Sequence, residues 1–140
     1  MRVALKSPTS LSFLGNKDEV IKFFSLCEEI LSEVENKELI TDRLYRRYVR
    51  YSDIIETQNL IKFLKERFNK LNLGYRSYFD TFDEMFEEVE FLQNSNNLFG
   101  RVQLCIGVIP YSSVDLSKDD KFYDSLADNA EPFWARNVNY

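Results

Sequence analysis

The sequence predicts an α+β fold: a helix-rich single domain with four or five helices and a small sheet of two to four strands. Three observations lead there. Apolar residues recur at helical spacing through most of residues 17–93. One segment, RVQLCIGVIP at 101–110, alternates with a period of two instead. A strand cannot stand alone, because its backbone donors and acceptors need partners, so further extended segments must exist.

The elements follow in chain order. Residues 1–15 hold two short apolar pieces, Val3 to Leu5 and Leu11 to Leu14, interrupted by Ser7-Pro8-Thr9. This pattern predicts extended chain with one possible edge strand. Asn16 fits a helix N-cap, with Glu19 three residues on. Val20, Phe23, Phe24, Cys27, Ile30, Leu31 and Val34 then mark one face of a helix over about 17–35. Asn36 separates it from a second helix at 38–53, whose apolar line runs Ile40, Leu44, Tyr48, Tyr51 and on to Ile55. A third helix carries Leu60, Ile61, Leu64, Phe68 and Leu71, and Gly74 is a plausible stop because glycine tolerates the left-handed cap conformation. Thr81 and Glu84 form a capping-box pattern that would open a helix reaching about Gln93. NSNN at 94–97 reads as a loop.

In the 101–110 strand, Val102, Leu104, Ile106 and Val108 share one face and Gln103, Cys105, Gly107 and Ile109 the other. Neither face is charged, so the strand should be covered and flanked. Its candidate partners are the N-terminal segment and the C-terminal VNY stretch. KDDKFYDSLAD at 118–128 predicts a short helix, and the closing EPFWARNVNY holds the only Trp. With 4 Gly and 3 Pro there is little linker material, so residues 1–140 read as one domain.

Composition narrows the function classes. The net charge is −5, which disfavours non-specific contact with nucleic acid or anionic membranes and favours basic partners. No apolar run approaches a membrane span and no signal pattern opens the chain, so a cytoplasmic protein is expected. Histidine is absent, which removes the commonest general base, the Ser-His-Asp arrangement and most zinc and haem sites. The two cysteines, Cys27 and Cys105, have no metal-ligand spacing and read as small buried apolar residues. No phosphate loop, dinucleotide fingerprint, metal motif or nucleophile elbow is present. The expectation is therefore a non-enzyme without cofactor or metal.

Two charged features remain. The first is FDTFDEMFEEVEF at 79–91, in which six of thirteen residues are acids. On a helical projection with Phe79 at zero, Phe82, Met85, Phe86, Val89 and Leu92 fall between about 220° and 340°. Asp80, Asp83, Glu84, Glu87, Glu88 and Glu90 fall between about 20° and 180°. Phe91 alone lies among the acids, at about 120°. The plain reading is a core helix with a solvated acidic face. The functional reading makes Asp83, Glu84, Glu87, Glu88 and Phe91 a partner-binding surface with Phe91 as its apolar anchor. Catalysis fits poorly, because carboxylates fanned over one exposed face do not converge on a point.

The second feature is RLYRRYVRY at 43–51. Arg43, Arg46, Arg47 and Arg50 follow i, i+3, i+4, i+7 and would form one basic stripe on a helix, with Tyr45, Tyr48 and Tyr51 between them. Such a stripe either pairs with carboxylates of a neighbouring helix, meets a protein partner, or contacts nucleic acid through phosphate pairing and base stacking. The acidic balance of the chain makes nucleic acid the least favoured of these.

The size, acidity and aromatic richness of the chain, with SLSFLGNKDEVIKFF at 10–24 and FWARNVNY at 133–140, resemble the immunity proteins of bacterial contact-dependent growth inhibition and related polymorphic toxin systems. The resemblance implies a cytoplasmic inhibitor that binds a cognate toxin domain, often a basic nuclease, and covers its active site. It implies no membrane partner and carries over no functional residue. Two other classes stay open: a nucleic-acid-associated regulator or adaptor working through the Arg/Tyr stripe, and an enzyme using carboxylates and Tyr.

Overall fold

A computed structural model describes residues 1–7, 10–95 and 106–110, without the side chains of residues 51, 92–95 and 110. The chain is an α+β protein. Strands β1 (Arg2–Lys6) and β2 (Leu11–Asn16) lead into helix α1 (Lys17–Ile30). A π-helical segment (Leu39–Leu44) and a 3-10 turn (Tyr51–Asp53) precede helices α2 (Ile54–Lys70) and α3 (Arg76–Ser95), and strand β3 (Gly107–Pro110) follows. The expected helix at 118–128, the closing EPFWARNVNY, residues 96–97 of the expected loop, and residues 101–105 of the expected strand with Cys105 lie outside the described residues.

The sheet is antiparallel with order β2-β1-β3. The N-terminal segment was a candidate partner for the late strand, and it fills that role: Leu5 lies opposite Val108 and Ala4 opposite Ile109. It is more than one edge strand, however. It folds as a hairpin, and β1 is the central strand, with Leu5 opposite Ser12 on its other side. The turn is drawn in by Ser7 and Ser10. The Ser7 N–H donates to the Ser10 carbonyl at 3.0 Å, and the Ser10 N–H donates to Ser7 Oγ at 3.1 Å. The register shifts between Val3 and Ala4, which lie opposite Gly15 and Phe13, so that Leu14 of β2 is an extra residue in the ladder where β2 approaches α1.

Central position explains an unexpected burial. Lys6 is 1% exposed, with its ammonium 5.3 Å from the centre of the Tyr48 ring. Tyr48 reaches the sheet because its neighbour Val49 bridges to Ile106 through two backbone hydrogen bonds of 2.7 and 3.0 Å. Gly107 makes that approach possible. A Cβ there would stand 2.6 Å from the Arg47 carbonyl oxygen and 3.1 Å from the Tyr48 ring.

α1 forms where expected, with Asn16 at the N-cap in extended conformation, although its side chain makes no capping bond. The helix stops at Ile30, earlier than the apolar spacing implied. Leu31 and Val34 then follow in tight turns and stay packed on the core. The predicted helix at 38–53 is not one helix. Its first part is π-helical, and the chain then turns extended so that Val49 can pair with the sheet. α2 buries Leu60, Ile61, Leu64 and Phe68 as expected, but Leu71 and Ile55 are exposed.

Between α2 and α3 the backbone turns through three left-handed residues, Asn72, Gly74 and Tyr75. α3 starts directly afterwards at Arg76, so Thr81 and Glu84 do not cap it. Thr81 lies inside the helix, and its hydroxyl donates back to the Ser77 carbonyl at 2.9 Å. The helix also takes in Asn94 and Ser95 of the expected loop.

Phe23 of α1 sits at the centre of the core. Its ring centroid lies 4.9–5.8 Å from those of Phe24, Phe68, Tyr75, Tyr78, Phe79 and Phe82. Tilted and edge-on pairs dominate this cluster, the geometries that the ring quadrupoles favour. Much of the aromatic surplus is therefore core material, and it fixes α3 against α1 and α2.

Candidate functional site

Every apolar side chain that the projection assigned to the inner face of α3, as far as it is described, is buried: Phe82, Met85, Phe86 and Val89, and with them Phe79. The acids opposite them divide by position. Asp83 is half-buried on the flank toward α2, where its carboxylate meets Lys65 Nζ at 3.1 Å. Glu90 lies on the same flank and accepts from Gln58 Nε2 at 3.4 Å. Glu88 lies toward the hairpin, and its carboxylate accepts from the Ser10 hydroxyl at 3.3 Å. Glu84 and Glu87 project outward and are exposed. Phe91 is 68% exposed among them.

The five residues singled out on this helix therefore share one outer surface, but they are not equivalent. Asp83 braces α3 against α2. Glu84, Glu87, Glu88 and Phe91 form the part open to solvent. Asp83, Glu87 and Glu90 border the hollow between α2 and α3, and Glu84 and Glu88 lie exposed beside them. Among the described residues no group of three or more His, Cys, Asp or Glu is arranged to hold a metal ion, and no helix is long and apolar enough to cross a membrane.

The Arg segment is assembled differently from the expected stripe. Helical spacing is lost after Arg46, so Arg43, Arg46, Arg47 and Arg50 do not line one helix face. Arg43 Nε donates to the Tyr48 carbonyl at 2.8 Å. Arg46 donates to the Thr41 carbonyl, and its guanidinium lies 5.0 Å from the centre of the Tyr45 ring. Arg47 pairs with Asp42 at 3.2 Å. These arginines fasten the irregular segment 41–48 to itself. Arg50 lies beyond it and is exposed.

One hollow takes in two of the predicted residues, and another lies apart from them. The first, of about 460 Å³, runs between α2 and α3 and is lined on its two walls by Ile55 and Lys62 and by Asp83 and Glu87. The sequence had placed Ile55 on a buried line, yet it is 66% exposed. The other hollow lies beside β2, at Gly15, Glu19, Leu73, Tyr75 and Tyr78. There the Tyr75 hydroxyl donates to Glu19 Oε2 at 3.3 Å. Desolvation first, then the Glu19 charge and hydrogen bond, raise the Tyr75 pKa. Tyr78 is pushed up to about 12, chiefly by burial, then by Tyr75 and Glu19. Its buried hydroxyl has no hydrogen-bond partner among the described residues. It sits against Gly15, where a Cβ would overlap it.

Cys27 is fully buried on α1, and desolvation raises its thiol pKa well above the ordinary range. A buried thiol held protonated is a poor nucleophile, in keeping with its reading as a core residue.

No protein-family model, curated protein or solved structure matches the chain.

Proposed function

We propose that this chain is an immunity protein: a protein-binding inhibitor that neutralises a cognate bacterial toxin domain by covering its active site. The observation that carries the reading is Phe91, an aromatic ring 68% exposed on the acidic outer face of α3. A large apolar side chain so exposed amid carboxylates contributes little to the fold. In an interface it is the kind of group that becomes a hot spot once its acidic surroundings have steered the partner into place.

The partner is a basic domain, and a nuclease is the natural case. Its nucleic-acid cleft presents a positive field, to which an acidic helix is complementary. Glu84, Glu87 and Glu88 then accelerate encounter, and Phe91 slows dissociation by filling an apolar recess in the cleft. Asp83 contributes less directly, because Lys65 already holds it. The inhibitor would act in the cytoplasm, where an incoming or newly made toxin is active.

The test is co-expression with the C-terminal domain of a large secreted protein encoded immediately upstream. Protection from that domain, and a complex that survives purification, are expected. Phe91→Ala should weaken the complex by at least about 2 kcal/mol, roughly thirtyfold. Glu84→Lys with Glu87→Lys should mainly slow association and reduce its salt dependence. A gene neighbourhood without any toxin-like reading frame, together with no protection on co-expression, would sink the proposal.

A further inference from the structure

Ile55 and Phe91 are the two most exposed large apolar side chains among the described residues, and they lie at the same end of one two-helix layer. α2 and α3 run antiparallel, as shown by the Lys65–Asp83 contact of 3.1 Å and the Gln58–Glu90 contact of 3.4 Å. Ile55 is about one turn beyond Gln58, and Phe91 immediately follows Glu90. The hollow between the helices has Lys62 on its α2 wall and Glu87 on its α3 wall. The two cross-helix contacts fix the level of each residue along the layer, and they set Lys62 level with Glu87. Both are exposed, and neither makes an ion pair among the described residues.

We propose that this face pairs with a second copy of the same chain across a two-fold axis lying along the groove. Rotation about such an axis keeps each residue's level and exchanges the two walls. α2 of one copy then lies over α3 of the other. Lys62 meets Glu87 of the other copy, Ile55 meets Phe91 of the other copy, and symmetry repeats both contacts. A patch with opposite charges on facing walls and an apolar residue on each wall at one end is thus complementary to itself, as a closed two-fold interface requires.

The size of the patch sets the strength. A 17-residue helix is about 25 Å long, and two adjacent helices present a face about 20 Å wide. That gives about 500 Å² per copy and about 1,000 Å² in total, at the lower limit of specific interfaces. Glu66 also comes level with Asp83 of the other copy, a like-charge contact that opposes association. The dimer is therefore weak and concentration-dependent.

This proposal does not rest on the toxin-binding reading, although the two surfaces share Glu87 and Phe91 and a bound toxin would exclude the second copy. The experiment is sedimentation equilibrium of the isolated protein over a wide concentration series, with circular dichroism to show that each variant is folded. The wild-type mass should rise from one chain toward two. Lys62→Glu alone and Glu87→Lys alone should hold it at one chain, and the double variant should restore association. Ile55→Asp should abolish it. A single-chain mass at every concentration overturns the proposal. So does a dimer indifferent to both single charge reversals or to Ile55→Asp, or a double variant that fails to recover. None of these results bears on toxin protection, which is read by co-expression.

Discussion

Truncating Phe91 to Ala separates an interface residue from a core residue on one helix. The ring is 68% exposed, so about a third of it is withdrawn from water. Burying a whole Phe side chain is worth about 1.5–3 kcal/mol, and a third of that is about 0.5–1 kcal/mol. Ala also has the better helix propensity, which returns a few tenths of a kcal/mol. The net loss should stay below about 1 kcal/mol, a shift of a few degrees in Tm for a domain of this size. Phe86, five residues earlier and 1% exposed, is the control. Its truncation leaves a cavity in the core and should cost about 3–5 kcal/mol. Urea unfolding followed by far-UV circular dichroism measures both, with an unchanged m-value as the check that only stability has moved. If Phe91→Ala costs as much as Phe86→Ala, the ring is covered. The outer face of α3 is then no free surface, and the proposed function loses its anchor.

Other predictions follow from contacts described above. Gly107→Ala should cost about 1–3 kcal/mol in urea unfolding, because the Arg47 carbonyl that its Cβ would meet belongs to backbone and cannot swing aside. Gly74→Ala meets no atom within 4 Å, but its φ of +84° makes it cost about 1–2 kcal/mol from conformation alone. Tyr78→Phe removes a buried hydroxyl that has no partner among the described residues, so at neutral pH it should be neutral or stabilising by about 1 kcal/mol. The same variant tests a pH dependence. Folded Tyr78 ionises at about 12 and the unfolded residue at its ordinary 10.0, so the unfolded state releases the proton first. Its contribution should be complete below pH 10 and decline as pH rises toward 12, and Tyr78→Phe should flatten that decline in denaturant midpoints. Lys65→Met breaks an ion pair whose side chains are 40% and 39% exposed, so it should cost less than about 1 kcal/mol, and less still at high salt.

The parts that sequence reading captured are those in which one periodicity governs both local shape and burial. α1 and the two-sided division of α3 are legible for that reason, and so is the exposure of Phe91. The failures come from tertiary contacts that override a local pattern. RLYRRYVRY keeps helical spacing in its arginines, but Val49 is captured by Ile106 and the helix ends before it. Thr81 and Glu84 fit a capping box, yet the left-handed Gly74 and Tyr75 have already turned the chain and α3 is under way. Lys6 beside Ser7-Pro8 looks like the end of an exposed edge strand, whereas pairing on both sides makes β1 central and buries the lysine. Ile55 follows the core spacing of the predicted 38–53 helix but belongs to the first turn of α2, whose buried face runs through Ile54 and Thr57 instead. It is the residue that the candidate surface gained and that no sequence pattern marked.

The strand order also governs how the chain can be made. β1 leaves the ribosome about a hundred residues before β3, its partner on one side. The hairpin, α1, α2 and α3 can all form before β3 exists. Until it arrives, one edge of β1 stays open, with Val3, Ala4 and Leu5 beside unpaired backbone groups. An open apolar edge is a template for pairing with other chains. Lys6, at one end of that edge, is a charge that opposes such pairing during that interval, with Arg2 at the other end of the strand. Replacing Lys6 with a hydrophobic residue should therefore lower the yield of folded protein at high expression levels more than it lowers the stability of chains that have already folded.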